Sequence, residues 1–454
     1  MTRPTVRPPV CLPALQRRPG MPNLFSFVAE HWRFCLLHFL EFGIWGAWFV
    51  VLGNLLEARG FARREIGRIY ATIPIGTMIA ALAVGALVDR YVNTEYMLAV
   101  SHLVGAGLLF AMARAFNPRT FYFLALAYGV AFAPTLNLVN SIVFAHNDDL
   151  FGGQAETGFP WIRVFGTIGW IIAGLSHALI LKNGEPINER PLLLAAGLSL
   201  VLGLYSLTLP TTPPAAADGG VSILGGMREI VGGHPIFFAV TFVAAMAMGL
   251  YFAFAALFLE KTGVESRVVG PVMTIGQAME IFFLLTLPWF LGANNERMFW
   301  VLLVGASAWA VRFGLFAVGR PLALVLCGVA IHGLCFDFFF AAGFINSSII
   351  APDGLNATAQ SIYGFLVYGV GMYVGSELSG WWNERVTAES SSRPSAAADD
   401  PLTFPVAAPD AVVASEPGVT TVAGGTDWRR FWAVPCGVVA AAALAFAIFG
   451  GRGG

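Results

Sequence analysis

Charge is scarce in this chain. Asp, Glu, Lys and Arg supply only 12% of its 454 residues, about half the share in an ordinary soluble domain. Lys182 and Lys261 are the only lysines, and the net charge of −1 excludes a strongly basic nucleic-acid binder. The five cysteines (Cys11, Cys35, Cys327, Cys335, Cys436) are odd in number and show no CxxC or metal-ligand spacing, so no disulfide framework or zinc site is written in them. HExxH, GxSxG, paired His/Asp metal spacing and a phosphate loop are all missing. An enzyme, a cofactor and a metal are therefore not expected. The opening "MTRPTVRPPVCLPALQRRPG" lacks a continuous apolar core and does not read as a signal peptide. Met21 is an alternative start.

Apolar residues are abundant instead, at 57%, with a mean hydropathy of +0.71. The polar surface left over is too small to cover a soluble fold, so the chain is a multi-pass membrane protein. A spanning helix needs about 17–25 apolar residues. Such runs fall at 33–56, 69–90, 97–115, 120–145, 161–181, 191–209, 235–259, 269–291, 298–317, 321–350, 360–383 and 429–449. The expected fold is all-α integral membrane with twelve transmembrane helices. An even count puts both termini on one side, and Arg17, Arg18 and Arg33 favour the cytoplasmic one.

Two polar stretches divide the chain. Residues 1–32 form a disordered or mis-annotated tail, and 33–209 a first six-helix bundle. The linker at 210–233 is expected to be cytoplasmic, and 234–449 forms a second bundle with a flexible loop at 384–427. A faint repeat relates "IGTMIAALAVGALVDRY" from Ile75 to "IGQAMEIFFLLTLPWFL" from Ile275. Six plus six helices with weak similarity between the halves is the pattern of the major facilitator fold.

A charged group at the centre of a span costs at least ~2.5–3.5 kcal/mol, so each one needs a reason. In "FPWIRVFGTIGW", Arg163, Thr167 and Trp170 stand at i, i+4 and i+7, on one helical stripe. They either contact a polar ring compound, or Arg163 snorkels to the interface and Trp170 packs. Gln277 and Glu280 share a face at i, i+3, as readers of a sugar or base or as glue between helices. In "IHGLCFDFFF", His332 and Phe336 align at i, i+4, whereas Asp337 points well around the helix unless the helix locally unwinds. Glu41, Arg312 and Glu377 read as structural pairs between helices. "GALVDR", with Gly85, Asp89 and Arg90, resembles the loop motif between the second and third helices of major facilitator proteins, a conformational element without substrate contact.

Taken in order, "FGIWGAWFVVLG", "APTLNLVNSI", "FPWIRVFGTIGW", "AWAVRFGLFAVG", "HGLCFDFFF", "ATAQSIYGFLVYGVG" and "TDWRRFW" resemble the bacterial nucleoside–proton symporter family of the major facilitator superfamily. The resemblance implies a monomer in the bacterial inner membrane, a central cavity, and nucleoside import driven by the proton gradient through alternating access. It places substrate binding on Arg163, Thr167, Gln277, Glu280, Phe336 and Asp337. Trp170 and His332 stand where the family can have phenylalanine and tyrosine. Two polar contacts of the seventh helix fall on Gly249 and Phe252, which leaves the choice of nucleoside open. Two acids, Glu280 and Asp337, face one cation, Arg163, so one acid is left to take up a proton. The alternative is a major facilitator transporter for another small polar solute, such as a sugar, a nucleobase or a drug.

Overall fold

The computed structural model describes residues 24–80, 92–146, 150–151, 155–214, 223–292, 295–352, 355–391 and 425–450. Among these residues every regular element is helical. The helices are α1 (Leu24–Trp48), α2 (Leu52–Ala58), α3 (Arg63–Tyr70), α4 (Thr72–Ile79), α5 (Thr94–Arg114), α6 (Pro118–Phe132), α7 (Thr135–Ala145), α8 (Ala155–Ile180) and α9 (Arg190–Ser206). After α10 (Ile223–Gly233) come α11 (Pro235–Lys261), α12 (Ser266–Leu291), α13 (Met298–Val318), α14 (Leu322–Ala330) and α15 (His332–Cys335). A π-helical turn (Phe336–Ala341) leads into α16 (Ala342–Ile349). Beyond it, α17 (Asn356–Gly364), a second π-helical turn (Phe365–Gly371) and α18 (Met372–Ser391) run on from one another, and α19 (Trp428–Phe449) closes the fold.

Eight helices among the described residues are long and apolar enough to cross a membrane, and a ninth is added where α14 and the stretch His332–Ile349, bent by 41°, make one span. The three other expected spans fall short of that measure. α3 and α4 lead into 81–91, which lie outside the described residues together with Gly85, Asp89 and Arg90. α9 has only 17 residues. The stretch 356–391 is helical throughout but ends in the polar sequence "NERVTAESS". Outward-facing Leu179, Trp289, Phe123 and Trp300 are 87%, 77%, 65% and 63% exposed, an apolar surface suited to lipid contact.

Three boundaries differ from the expectation. The first helix begins at Leu24, inside the presumed tail, because "LFSFV" is apolar and continues the helical run. Part of the linker is helical, as α10. α18 runs on to Ser391 because its polar end is paired. Thr387 bonds Thr426 at 2.8 Å, Arg385 bonds Glu389 at 3.0 Å, and Arg430 pairs with Glu389. Asp427 caps α19 by accepting from the Arg430 N–H at 2.9 Å.

Small residues let the spans approach closely, as membrane helices commonly do. A Cβ on Gly169 would lie 2.1 Å from the Phe39 carbonyl oxygen, and one on Gly375 would lie 2.1 Å from that of Met246. The same device joins the halves. A Cβ on Gly53 would meet the Ala253 carbonyl oxygen at 2.7 Å, and one on Gly67 would meet that of Ser376 at 2.5 Å. One on Gly174 would reach Thr274 Cγ2 at 2.5 Å.

Polar contacts between the halves gather at this same end. Asn54 donates to the Ala256 carbonyl at 3.3 Å and also pairs with Glu260. Lys261 reaches Glu57 at 2.9 Å, Arg68 lies 3.8 Å from Glu377, and the Gly184 N–H donates to Glu265 at 3.3 Å. The two halves are thus sealed where α2 meets α3, α8 meets α9 and α11 meets α12.

Candidate functional site

The first half contributes α8. Arg163 lies with its guanidinium carbon 4.0 Å from the centre of the Phe42 ring, a cation–π contact across to α1. Gly166 makes room for this, since a Cβ there would meet Phe42 Cδ2 at 2.6 Å and the Arg163 guanidinium at 2.8 Å. Thr167, one turn on, is half-buried. Trp170 is 8% exposed and meets Trp45 edge-on, with ring centres 5.3 Å apart. The stripe drawn from sequence therefore divides, with Arg163 and Thr167 partly exposed and Trp170 packed against α1.

The second half contributes α12 and the bent span. Glu280 Oε2 lies 3.7 Å from His332 Nε2. Glycine lets these helices meet: a Cβ on Gly276 would lie 2.9 Å from His332 Cβ, and one on Gly333 would lie 2.7 Å from the Met279 carbonyl oxygen. The His332 ring stacks on Phe336 at 4.0 Å with 22° between planes. Phe336 also meets Trp309 at 5.7 Å and Phe252 at 6.0 Å. The result is an aromatic wall.

Asp337 is the second residue of the first π-helical turn, where the α-helical register gives way to a wider one. The local unwinding that the sequence left as a condition is present. Asp337 comes within electrostatic range of Glu280, which in turn interacts with Arg163 of the opposite half. Two acids and one cation from three spans thus share one region between the halves. Glu280 keeps 24% of its side chain exposed, whereas Asp337 is 3% exposed. Asp337 Oδ2, Gln277 Oε1 and His332 Nδ1 are buried without a hydrogen-bond partner, and such orphaned atoms are costly unless something else satisfies them.

Gly249 and Phe252 behave differently from each other. A Cβ on Gly249 would meet the Met372 carbonyl oxygen at 2.5 Å, so α11 presses on α18 there and the position packs a helix pair. Phe252 touches Phe49 of the first half at 5.4 Å as well as Phe336, and so carries the aromatic wall across the halves.

Sequence reasoning missed Tyr368. It sits in the second π-helical turn, half-buried, with its ring parallel to Phe344 at 6.3 Å. It interacts electrostatically with Glu280, Arg163 and Asp337 together. The only signal was a tyrosine between glycines in "YGFLVYGVG".

Among the described residues Arg312 pairs with no acid. It is fully buried, donates through Nε to the Gly328 carbonyl at 3.0 Å, and lies 4.3 Å from the Tyr251 ring centre and 4.9 Å from that of Trp309. Aromatic faces stabilise this cation where a carboxylate was expected. Glu377 pairs with Arg68 across the halves at 3.8 Å, and Glu41 pairs with His102 at 2.8 Å.

The chain is similar to known transporters over most of its length. The family model described as "Nucleoside H+ symporter" matches residues 29–451. Xanthosine permease of Escherichia coli (strain K12) is 32% identical over 367 residues, covering 77% of this chain and 86% of that protein. Nucleoside permease NupG of the same organism is 28% identical over 365 residues, covering 76% and 86%. A crystal structure of the nucleoside transporter NupG superposes with a TM-score of 0.78 at 25% identity, covering 92% of this chain and all of that one.

Proposed function

We propose, for a chain that belongs to the nucleoside H+ symporter family and imports nucleosides by proton symport through alternating access, that the site is the region between its halves lined by Arg163, Thr167, Gln277, Glu280, His332, Phe336 and Asp337. The observation that carries this is the electrostatic interaction of Glu280 with both Arg163 and Asp337 beside a stacked His332–Phe336 pair. Trp170 supports the site from behind through Trp45.

An aromatic face next to unpartnered polar atoms suits a nucleoside. The base stacks on Phe336, and the buried oxygens of Asp337 and Gln277 accept from base or ribose donors. The family's relatives being permeases, the chemistry is binding and release, driven by the proton gradient and needing no cofactor.

Twelve spans in two six-helix halves, 33–209 and 234–449, form the frame, joined by the linker at 210–233. Gly85, Asp89 and Arg90 serve its conformational change. With both termini cytoplasmic and the protein working as a monomer in the plasma membrane, the sealed end faces outward and the site is loaded or emptied from within. Arg163 neutralises one of the two acids, and the other carries the coupled proton. The proton then neutralises the second acid and the nucleoside satisfies the unpartnered polar atoms, which lowers the cost of reorienting the cavity across the bilayer.

Uptake of a nucleoside panel into proteoliposomes, with and without an imposed pH gradient, tests the reading. Gradient-driven accumulation of at least one nucleoside is expected. Accumulation of a sugar, a nucleobase or a drug in place of every nucleoside would overturn it.

A further inference from the structure

The first half holds an acid–imidazole pair that nucleoside binding does not use. Glu41 on α1 and His102 on α5 are 0% and 1% exposed, with Glu41 Oε2 2.8 Å from His102 Nε2. The hydroxyl hydrogens around them fix the rest. Ser199 on α9 donates its one hydroxyl hydrogen to the His102 carbonyl at 2.9 Å. Its oxygen is therefore the acceptor in the 3.3 Å contact with His102 Nδ1, so Nδ1 carries a hydrogen.

Once Nδ1 is a donor, two states fit the 2.8 Å contact at Nε2. Either an imidazolium donates to a carboxylate, or a carboxylic acid donates to a neutral imidazole. Both hold one proton between Nε2 and Oε2. Without it, lone pairs of nitrogen and oxygen would face each other, and the pair would carry a net negative charge inside a span. Thr135 on α7 tolerates either state. Its hydroxyl lies 2.7 Å from Glu41 Oε1 and 2.6 Å from the Phe132 carbonyl as a donor, and Oε1 is an acceptor in both states.

We propose that Glu41 and His102 form a second proton-binding site, in the half opposite to Glu280 and Asp337, whose occupancy is felt at Arg163. The neighbours provide the link. His38, one turn before Glu41 on α1, bonds Asn140 of α7 at 3.2 Å and interacts with both Glu41 and Arg163. Tyr128 of α6 brings a buried hydroxyl that interacts with Glu41. Phe42, next to Glu41 in sequence, carries the Arg163 guanidinium. Loss of the shared proton puts a negative charge on the pair and draws Arg163 towards α1, away from Glu280. The ligand is the proton alone, and the reaction is its binding to, or release from, the Nε2–Oε2 contact.

The decisive measurement is a proton count on the purified full-length protein without substrate, titrated between about pH 5 and about pH 9 with a pH-indicator dye. Glu41→Gln keeps the hydrogen bonds to His102 and Thr135 but cannot hold the extra proton. The wild type is expected to release one more proton per chain than this variant, and the protons carried per nucleoside are expected to fall in the variant. Equal release by both proteins would overturn the proposal. If Glu41→Gln does not fold, the Glu280→Gln/Asp337→Asn variant serves in its place. Its infrared pH-difference spectrum should retain a titrating buried carboxyl or imidazole band, according to which partner holds the proton, and a spectrum with neither would overturn the proposal equally. Because Glu280 and Asp337 are absent from that second protein, failure of their own role and failure of this site are told apart.

Discussion

Lys261 and Glu57 meet at 2.9 Å across the boundary between the two halves, each still partly exposed. Glu57 also pairs with Arg63 of its own half, so one carboxylate ties together three elements. A partly solvated pair of this kind contributes up to about 1 kcal/mol. Lys261→Ala should therefore open the sealed end by up to about fivefold in population. Spin labels placed at Arg59 and Gly263 should show a larger long-distance fraction in the variant, and an unchanged distribution would remove this pair from the seal.

The proposed site gives Asp337 and Glu280 separate roles, one in binding and one in coupling. In Asp337→Asn and Glu280→Gln, at least one variant should lose accumulation driven by the pH gradient while keeping nucleoside exchange between the two faces. Gradient-driven accumulation in both would end the proposed division of roles.

Phe336 is the floor of the aromatic wall. Replacing a stacked aromatic by alanine costs about 1–3 kcal/mol per base in other stacking sites, so Phe336→Ala should weaken nucleoside binding by about five- to a hundredfold. Calorimetric titration of the purified protein measures it, and an unchanged Kd would move the base elsewhere.

Gly276 and Gly333 set the distance between α12 and the bent span. Gly333→Ala drives a methyl to 2.7 Å from the Met279 carbonyl oxygen, a backbone atom that cannot step aside. The expected cost is about 1–3 kcal/mol, the usual range for overpacking. A lower Tm in detergent, together with reduced uptake, reports it.

Glu389 lies past the membrane-spanning part of α18, where hydrogen bonds from Arg385 and Arg430 hold its carboxyl below the ordinary glutamate range. A depressed folded-state value stabilises the helix end above the unfolded value and loses that contribution as pH falls through the folded one. Proteolysis within 385–391 should therefore quicken at acid pH in the wild type. Glu389→Gln should show that faster cleavage already at neutral pH, and equal cleavage would place the pairing outside the helix end's stability.

The spans were legible because a run of about twenty apolar residues has few other uses. Arg163, Glu280 and Asp337 were legible because charge inside such a run is costly. Other features depended on partners distant in sequence. Glu41 and His102 are 61 residues apart, and neither signals the other. The direction of Asp337 hung on a π-helical turn, which α-helical periodicity does not reveal. Trp170 keeps its place on the stripe, yet Trp45 from α1 covers it. Tyr368 reads as packing in an apolar run until the charges of three other helices are set around it.

The seam at Gly53 and Gly67 brings main chain of one half against main chain of the other with almost no side chain between. Dispersion over such a surface is short-ranged, and a gap of about 0.5–1 Å forfeits a quarter to a half of it. A seam of that kind does not stretch. It holds or it parts, and the halves then move as rigid bodies between two positions.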